Sequence, residues 1–125
     1  MADARRFLPL SPQQFHILLA LVDQDAHGYG IIRDVSARTG GAVRLGTGTL
    51  YTAIARLEAL GLVEPALPRR RPAGERPDER RRYYHLTALG GAVLREETAR
   101  LESLVRLARR KGVQAPARPA WSKTP

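Results

Sequence analysis

The chain of 125 residues contains no cysteine, one methionine and one tryptophan, and aromatic residues make up only 6% of it. The absence of cysteine excludes disulfide bonds, thiolate metal sites and a cysteine nucleophile. No apolar run is long enough to span a bilayer, so we expect a cytoplasmic protein without membrane contact. The sequence also lacks paired carboxylates on one face and a nucleophile beside a base, so we expect no catalytic residue and no enzyme activity.

Three histidines, His16, His27 and His85, are the remaining candidates for metal ligands. They are scattered and have no acidic neighbours at ligand spacing, which favours packing or surface roles, so we expect no metal and no cofactor. The segment Gly46-Thr47-Gly48 lacks the lysine of a phosphate-binding P-loop and the later glycine of a dinucleotide-binding fingerprint. Nucleotide binding is therefore not indicated.

Positive charge is concentrated in the second half of the chain. The formal net charge is +9: residues 1–68 are neutral, residues 69–82 carry +4 and residues 83–125 carry +5. A basic region that follows a neutral one is typical of a protein that binds a polyanion, and it is equally consistent with a soluble basic surface. A chain of this length predicts one domain with a modest core, which a partner subunit would help to stabilise.

Two helices are predicted in the first forty residues. The segment Ser11-Pro12-Gln13-Gln14 combines an N-cap serine, a proline at the first helical position and a glutamine three residues after the cap, and it starts a helix that runs to about Asp23. A second helix follows His27-Gly28-Tyr29-Gly30 and ends at Gly40-Gly41. The first helix carries two apolar stripes. The first consists of Phe15, Leu18, Leu19 and Val22. The second consists of Ile17 and Leu21, and we expect it to face another subunit.

A third helix, which begins near Gly48, has one apolar side and one side of small polar residues. Leu50, Ile54 and Leu57 share the apolar side, and Gly61 is a C-cap glycine. The small side lets the backbone approach another molecule closely, and the helix start leaves N–H groups available to phosphate. This combination is typical of a helix that enters the DNA major groove. The alternative is a capped amphipathic helix whose polar side faces water.

Two strands are predicted at 62–64 and 82–87, and the segment 43–45 is a further, very short candidate. Because side chains alternate along a strand, one of Tyr83 and Tyr84 is expected in the core and the other in solvent. Prolines and arginines dominate the long connection between the two strands. Three helices followed by a two-stranded ribbon with a basic tip predict a winged helix-turn-helix. Protection of an edge strand by charge is the alternative role of these arginines.

A fourth helix is predicted from the N-cap Thr87 to about Lys111. Its seam repeats at 4-3-4-3 spacing over about two heptads: Leu94, Thr98, Leu101, Val105 and Ala108. Such a seam is too short to hold a coiled coil alone. We therefore expect it to pack against the second stripe of the first helix from another subunit, which predicts a dimer.

The predicted fold is mainly α with a small β-wing. Residues 8–87 form the winged helix-turn-helix, residues 88–111 form a C-terminal dimerisation helix, and residues 112–125 form a disordered tail. Trp121 lies in this tail, either in solvent or folded over an apolar groove of the dimer.

Five short motifs occur in order between residues 8 and 111: His27-Gly28-Tyr29-Gly30-Ile31, Gly46-Thr47-Gly48-Thr49-Leu50-Tyr51, Arg56-Leu57, Gly61-Leu62, and Arg82-Tyr83-Tyr84 with Leu86-Thr87 through Leu89-Gly90. In this order they resemble the PadR family of bacterial transcriptional regulators. Position 52 is threonine where many members carry proline, and the wing loop is longer and richer in arginine. The resemblance implies a short-form, dimeric winged-helix repressor whose last helix is the dimerisation element and whose operator has two half-sites.

We therefore predict a homodimer that binds double-stranded DNA as a sequence-specific and ligand-responsive repressor, with an effector that the residues do not identify. The alternative is a winged-helix module whose basic surface binds an acidic protein without DNA. The small side of the third helix favours DNA, because a protein interface would carry larger apolar anchors. The predicted DNA contacts are Thr47, Thr49, Tyr51, Thr52, Arg56, Arg80, Arg81 and Arg82. The predicted dimer contacts are Ile17, Leu21, Leu94, Leu101, Val105 and Ala108.

Overall fold

The structure is a computed structural model that describes residues 3–66 and 82–117. Within these residues the α-helices are α1 (Pro12–Ala20), α2 (Gly28–Arg38), α3 (Thr47–Ala59) and α4 (Ala88–Arg110), and a short 3-10 helix spans Ala4–Phe7. The strands are β1 (Ala26–His27), β2 (Val63–Pro65) and β3 (Tyr83–Leu86). The prediction of a mainly α fold with a small wing and a long C-terminal helix is confirmed.

The predicted helix signals act at the helix ends. Ser11 Oγ accepts a hydrogen bond from the Gln14 N–H at 3.1 Å, and Gln14 Oε1 accepts one from the Ser11 N–H at 3.0 Å, which completes a capping box at α1. Thr87 Oγ1 caps α4 by accepting from the Gly90 N–H at 2.9 Å. Gly61, just after α3, has a φ of 79°, a left-handed conformation that favours glycine.

The helix α1 is shorter than predicted, and its second stripe is buried in its own chain. The helix ends at Ala20 because the next turn tightens: the N–H groups of Leu21 and Val22 bond to carbonyls three residues back, at 3.1 and 3.2 Å. Ile17 and Leu21 are only 0% and 3% exposed, since α1 packs against α2, α3 and α4. The prediction that these two side chains face another subunit is therefore wrong.

β3 is the central strand of an antiparallel sheet with the order β1-β3-β2. Val63 lies opposite Leu86, and His27 lies opposite Tyr83. The sequence shows no signal for β1 because two residues are too few to display an alternating pattern. The expectation that one of Tyr83 and Tyr84 is exposed is wrong, because both are buried. Tyr84 belongs to the core, and the ring of Tyr83 packs edge-on against His27 at 5.2 Å between centroids.

The segment 43–45 forms no strand, contrary to the prediction. The Val43 N–H donates to Thr39 Oγ1 at 3.0 Å, and the buried Thr39 hydroxyl donates in turn to the Val35 carbonyl at 2.9 Å. This bonding of a side chain to nearby backbone takes the place of a strand ladder. Leu45 is buried and joins the core.

Only the first half of α4 packs against the domain. Its buried residues are Gly90, Val93, Leu94 and Glu97. Gly90 allows a close approach, because a Cβ at this position would lie 2.1 Å from the Leu62 carbonyl oxygen. Leu94, a predicted dimer contact, is instead a core residue, so that prediction is wrong. Leu101 lies seven residues further along α4, where the helix has left the core.

Several predicted features lie outside the described residues. Arg80 and Arg81 fall within residues 67–81, and Trp121 and most of the expected tail fall within residues 118–125. Along the two described ranges, no helix combines the length and the apolar character that crossing a membrane requires.

Candidate nucleic-acid interface

The exposed side of α3 carries the five DNA contacts predicted on this helix. Leu50, Ile54 and Leu57 are buried on the opposite side and attach the helix to the core. The solvent side therefore presents hydroxyl groups, one phenol and one guanidinium, from residues that are all exposed: Thr47, Thr49, Tyr51, Thr52 and Arg56.

The start of α3 differs from the starts of the other α-helices. Ser11, His27 and Thr87 each cap their helix through a side chain. Within the described residues, no side chain caps α3, whose N-cap is Gly46 in an extended conformation. Its first-turn N–H groups lie at the positive end of the helix dipole and can donate to an anion such as phosphate. A Cβ added at Gly46 or Gly48 would meet nothing within 4 Å, so this helix start is open.

A shallow groove runs between the start of α1 and the exposed side of α3. The groove is lined by Ser11, Gln13, Gln14, Gly48, Thr49, Thr52, Ala53 and Arg56. All of these except Gly48 and Ala53 have side chains that can form hydrogen bonds. The sequence predicts the α3 part of this surface but not Gln13 and Gln14. Those two residues belong to the start signal of α1, and only the tertiary structure places them beside α3.

The Tyr51 hydroxyl lies directly over Gly28 at the start of α2. A Cβ at Gly28 would lie 2.4 Å from the Tyr51 hydroxyl oxygen, so a larger residue there would displace the tyrosine. Tyr51 is still 46% exposed. This contact gives a physical reason for a glycine at the start of α2.

A stack of three side chains at the first turn of α2 has no counterpart among the predicted contacts. The Arg33 guanidinium carbon lies 4.8 Å from the centroid of the Tyr29 ring, and that ring is stacked on His27 at 6.5 Å with an interplanar angle of 5°. Tyr29 is 59% exposed, whereas His27 is buried. The stack holds the exposed Arg33 guanidinium over the Tyr29 ring, one turn further along α2. Its signal in the sequence is the spacing of four between Tyr29 and Arg33, which places both on one side of the helix.

Arg82 is the one predicted wing contact that the structure describes. It is exposed and directly precedes β3, and its guanidinium carbon lies 6.0 Å from the centroid of the Tyr84 ring. Because His27 is paired with Tyr83, Arg82 comes next to the start of α2. The described part of the wing thus begins beside the start of α2, where His27 and Tyr29 are stacked.

Two histidines have structural roles near this surface. His27 Nδ1 caps α2 by accepting from the Gly30 N–H at 3.0 Å. His85 Nδ1 lies 2.7 Å from Oδ1 of the buried Asp25, which joins the turn before β1 to β3. Between residues 3 and 66 and between 82 and 117, no three side chains of histidine, aspartate or glutamate are grouped to hold a metal ion.

The second half of α4 forms a separate, apolar surface. Its large side chains are 39–49% exposed: Leu101, Leu104, Val105 and Leu107. Phe15 of α1 lines a groove together with Leu101 and Val105, while Ala108 is half-buried. The seam spacing identified Leu101, Val105 and Ala108 but not Leu104 and Leu107, which follow Leu101 at intervals of three residues and so turn progressively away from the seam.

A protein-family model described as the transcriptional regulator PadR-like family matches residues 17–96. The chain belongs to this family. Transcriptional regulator Rv3488 of Mycobacterium tuberculosis is 34% identical to this PadR-like chain over 93 residues, which cover 74% of the chain and 78% of Rv3488. The resemblance drawn from the five motifs is confirmed.

Solved structures agree with the fold of this PadR-like regulator. A PadR family transcription regulator from Clostridium difficile R20291 is 25% identical, with a TM-score of 0.64 over 80% of this chain and 97% of that one. The complex structure of hsRosR-S4, a form of RosR from H. salinarum, is also 25% identical, with a TM-score of 0.65 over 88% of this chain and 91% of that one.

Proposed function

We propose that this PadR-like regulator binds double-stranded DNA sequence-specifically as a homodimer, with α3 in the major groove. The observation that carries the proposal is the solvent side of α3, where small hydroxyl side chains follow a helix start that no described side chain caps. The major groove is about 12 Å wide and admits an α-helix, and a side without bulky residues lets the helix approach the bases.

Each exposed residue of this surface has a proposed role. Thr47, Thr49 and Thr52 contact base edges and neighbouring phosphates from the first turns of α3, where recognition helices make their base contacts. Arg56 binds the DNA backbone from the same side. The Tyr51 hydroxyl, held over Gly28, donates to a phosphate at the edge of the groove.

The backbone contacts extend to α2 and the wing. Arg33, held on the Tyr29 ring, and Arg82, at the base of the wing, are proposed to bind phosphates. Arg80 and Arg81 are proposed, from the sequence, to add further phosphate contacts. These contacts position the protein on DNA without reading sequence.

The homodimer is proposed to form through the second half of α4. Leu101, Leu104, Val105 and Leu107 expose apolar side chains close together on one segment of the described chain, and contiguous apolar surface of this kind marks an interface. The groove beside Phe15 offers a seat for the partner's helix. Two-fold symmetry then presents two copies of α3 to half-sites about 34 Å apart, one turn of DNA.

Repression is the proposed output, because a dimer that occupies a promoter excludes polymerase. A small-molecule effector would release DNA by binding more tightly to a dimer whose two α3 helices have a different separation, since a ligand shifts an equilibrium only by its differential affinity.

A salt titration tests the DNA contacts. We expect Arg56→Ala and Arg82→Ala to weaken binding to every duplex and to make the slope of log affinity against log salt less negative by about 0.9 for each phosphate that the variant no longer neutralises. Arg95→Ala, which removes the same charge from the first half of α4, is the control and should leave the slope unchanged. An unchanged slope in Arg82→Ala removes the wing base from the interface.

Selection from a pool of duplexes tests the reading of bases. We expect Thr52→Ala to change which sequence is preferred while keeping the salt slope of the unaltered protein. If the unaltered protein ignores duplex DNA at low salt and instead binds an acidic protein, the protein-interaction alternative replaces this proposal.

Sedimentation tests the dimer. Leu104→Glu places a charge in the exposed apolar surface, so we expect monomers at concentrations where the unaltered chain is dimeric, with unchanged helical content by circular dichroism. Glu96→Gln, an exposed substitution in the first half of α4, is the control. An unaltered chain that sediments as a monomer excludes the dimer independently of DNA binding.

A further inference from the structure

A buried carboxylate lies in the middle of α4. Glu97 is 2% exposed, and its Oε2 accepts a hydrogen bond from the Leu10 N–H at 2.8 Å. Both carboxylate oxygens also accept from the Arg100 guanidinium, with Nη2 at 3.1 Å from Oε2. The carboxylate therefore joins α4 to the residue that precedes the N-cap of α1.

The ionised form of Glu97 is favoured. The hydrogen bond from Arg100 lowers the pKa of Glu97; burial opposes this shift, and the Leu10 N–H adds to it. A buried ion pair is weak evidence for stability, because apolar residues of similar size often stabilise a core as well or better. What the charge provides here is a fixed direction, since a carboxylate has to meet its donors at defined angles.

Glu97 is the last buried residue of α4. The thirteen residues from Thr98 to Arg110, at about 1.5 Å each, extend the helix by about 20 Å beyond it. This extension carries the apolar surface proposed to form the dimer. Glu97 thus lies where the dimerisation segment leaves the winged-helix domain.

The same carboxylate is connected to the DNA-reading surface through α1. Leu10, its backbone donor, precedes the capping residue Ser11. Ser11 lines the groove that also contains Thr49 and Thr52 of α3. A short covalent path from Leu10 therefore links the point where α4 leaves the domain to the residues proposed to read bases.

We propose that Glu97 is a positioning residue that fixes the direction of α4 relative to α3 and thereby selects the spacing between operator half-sites. This inference rests on the proposed dimer and its DNA binding. A lever of about 20 Å turned by about 5° moves its end by about 2 Å, and a symmetric dimer changes the separation of its two α3 helices by about twice that, close to the rise of about 3.4 Å for one base pair.

Distances between spin labels test the direction of α4 without DNA. The chain has no cysteine, so Ala55→Cys on α3 and Arg110→Cys at the end of α4 provide one label pair in an otherwise unlabelled protein. Labelled chains are diluted into unlabelled ones, so that only distances within one chain are measured. We expect Glu97→Gln and Glu97→Ala to broaden or shift the distance distribution, and the exposed neighbour Glu96→Gln to leave it unchanged.

Selection of operators with varied half-site spacing tests the consequence. For the unaltered protein we expect one preferred spacing. The measured quantity is the ratio between affinity for the preferred spacing and affinity for a spacing that differs by about two base pairs. For Glu97→Gln we expect this ratio to fall about 2- to 30-fold, the range that mutations along a coupling route produce. Affinity for an isolated half-site should stay unchanged, a result that a merely structural role of Glu97 would not produce.

Two outcomes would overturn the inference. One is a distance distribution in Glu97→Gln that matches the unaltered protein. The other is an equal loss of affinity for isolated half-sites and full operators. Glu97→Gln keeps an acceptor for the Leu10 N–H, so it decides the matter even if Glu97→Ala fails to fold. If the unaltered protein binds no duplex, the proposed function fails, while the label distances still decide the role of Glu97.

Discussion

The two halves of α4 have the same secondary structure and opposite environments. Residues 88–97 bury Val93 and Leu94 in the domain, whereas residues 98–110 bury none of their side chains fully. Leu94 and Leu101 lie seven residues apart in one apolar seam, and their exposed fractions are 6% and 39%. A continuous apolar pattern therefore shows that both segments need a cover, and it does not show which cover each receives.

The same contrast separates the helix starts. Ser11, His27 and Thr87 satisfy the first turns of their own helices, while in the described chain the first turn of α3 has no such side chain. First-turn N–H groups that a side chain of the same protein caps contribute to folding, and first-turn N–H groups without such a cap are available to bind another molecule. The predictions below test this division.

The largest effect is expected from truncating the two equivalent leucines of the seam. Leu94→Ala should lower the free energy of unfolding by about 2–5 kcal/mol, because it leaves a cavity in the core. Leu101→Ala should instead weaken association, so its melting temperature should depend less on protein concentration than that of Leu94→Ala, because a partner stabilises only the chains that are paired. Urea and thermal unfolding at several concentrations measure both. Equal, concentration-independent losses would show that the two halves of α4 do not differ.

A pair of adjacent glycines tests the tight contact of the first half. Gly90→Ala should destabilise the fold by about 1–3 kcal/mol, because its Cβ would collide with the Leu62 carbonyl. Gly91→Ala is the control: the nearest atom to its Cβ is the flexible Arg95 side chain at 3.6 Å, so alanine should stabilise the helix by up to about 1 kcal/mol. Urea unfolding measures both, and a stable Gly90→Ala variant would contradict the close approach.

Acid should act on the boundary between the two halves. The pKa of Glu97 is lower in the folded chain than its ordinary value, because of the Arg100 hydrogen bond first and the Leu10 N–H second. Its contribution to stability is therefore present above the ordinary glutamate pKa of about 4.3 and is lost as the pH falls through the lowered value. Unfolding measured from about pH 6 to about pH 3 should show this loss in Glu96→Gln and a smaller one in Glu97→Gln.

The smallest change in stability is expected at the start of α3. Gly46→Asp should supply the missing cap and stabilise the chain by a few tenths of a kcal/mol, because Gly46 is already extended and has open space around it. The new carboxylate would occupy the N–H groups proposed to bind phosphate and would repel the phosphate itself, so affinity for DNA should fall. A stabilised variant with full affinity would exclude the α3 start from the interface.

Local signals predicted the helices and their caps well, and long-range packing accounts for the errors in burial and in the sheet. The capping box at Ser11, the glycine after α3 and the cap at Thr87 depend on residues within a few positions, so the sequence displays them. The strand β1 and the burial of Tyr83 depend on pairing across the sheet between segments far apart in the chain. The position of Gln13 and Gln14 beside α3 depends in the same way on neighbours that the sequence does not reveal.

The sequence by itself determined the helices and most of their boundaries, the exposed polar side of α3 and the family, because each rests on periodicity, caps or short motifs that act locally. Only the tertiary structure decided that Ile17, Leu21 and Leu94 fill the core and that Glu97 joins α4 to the start of α1. The reason is physical: periodicity states that a face must be covered, and the three-dimensional arrangement of the other helices determines what covers it.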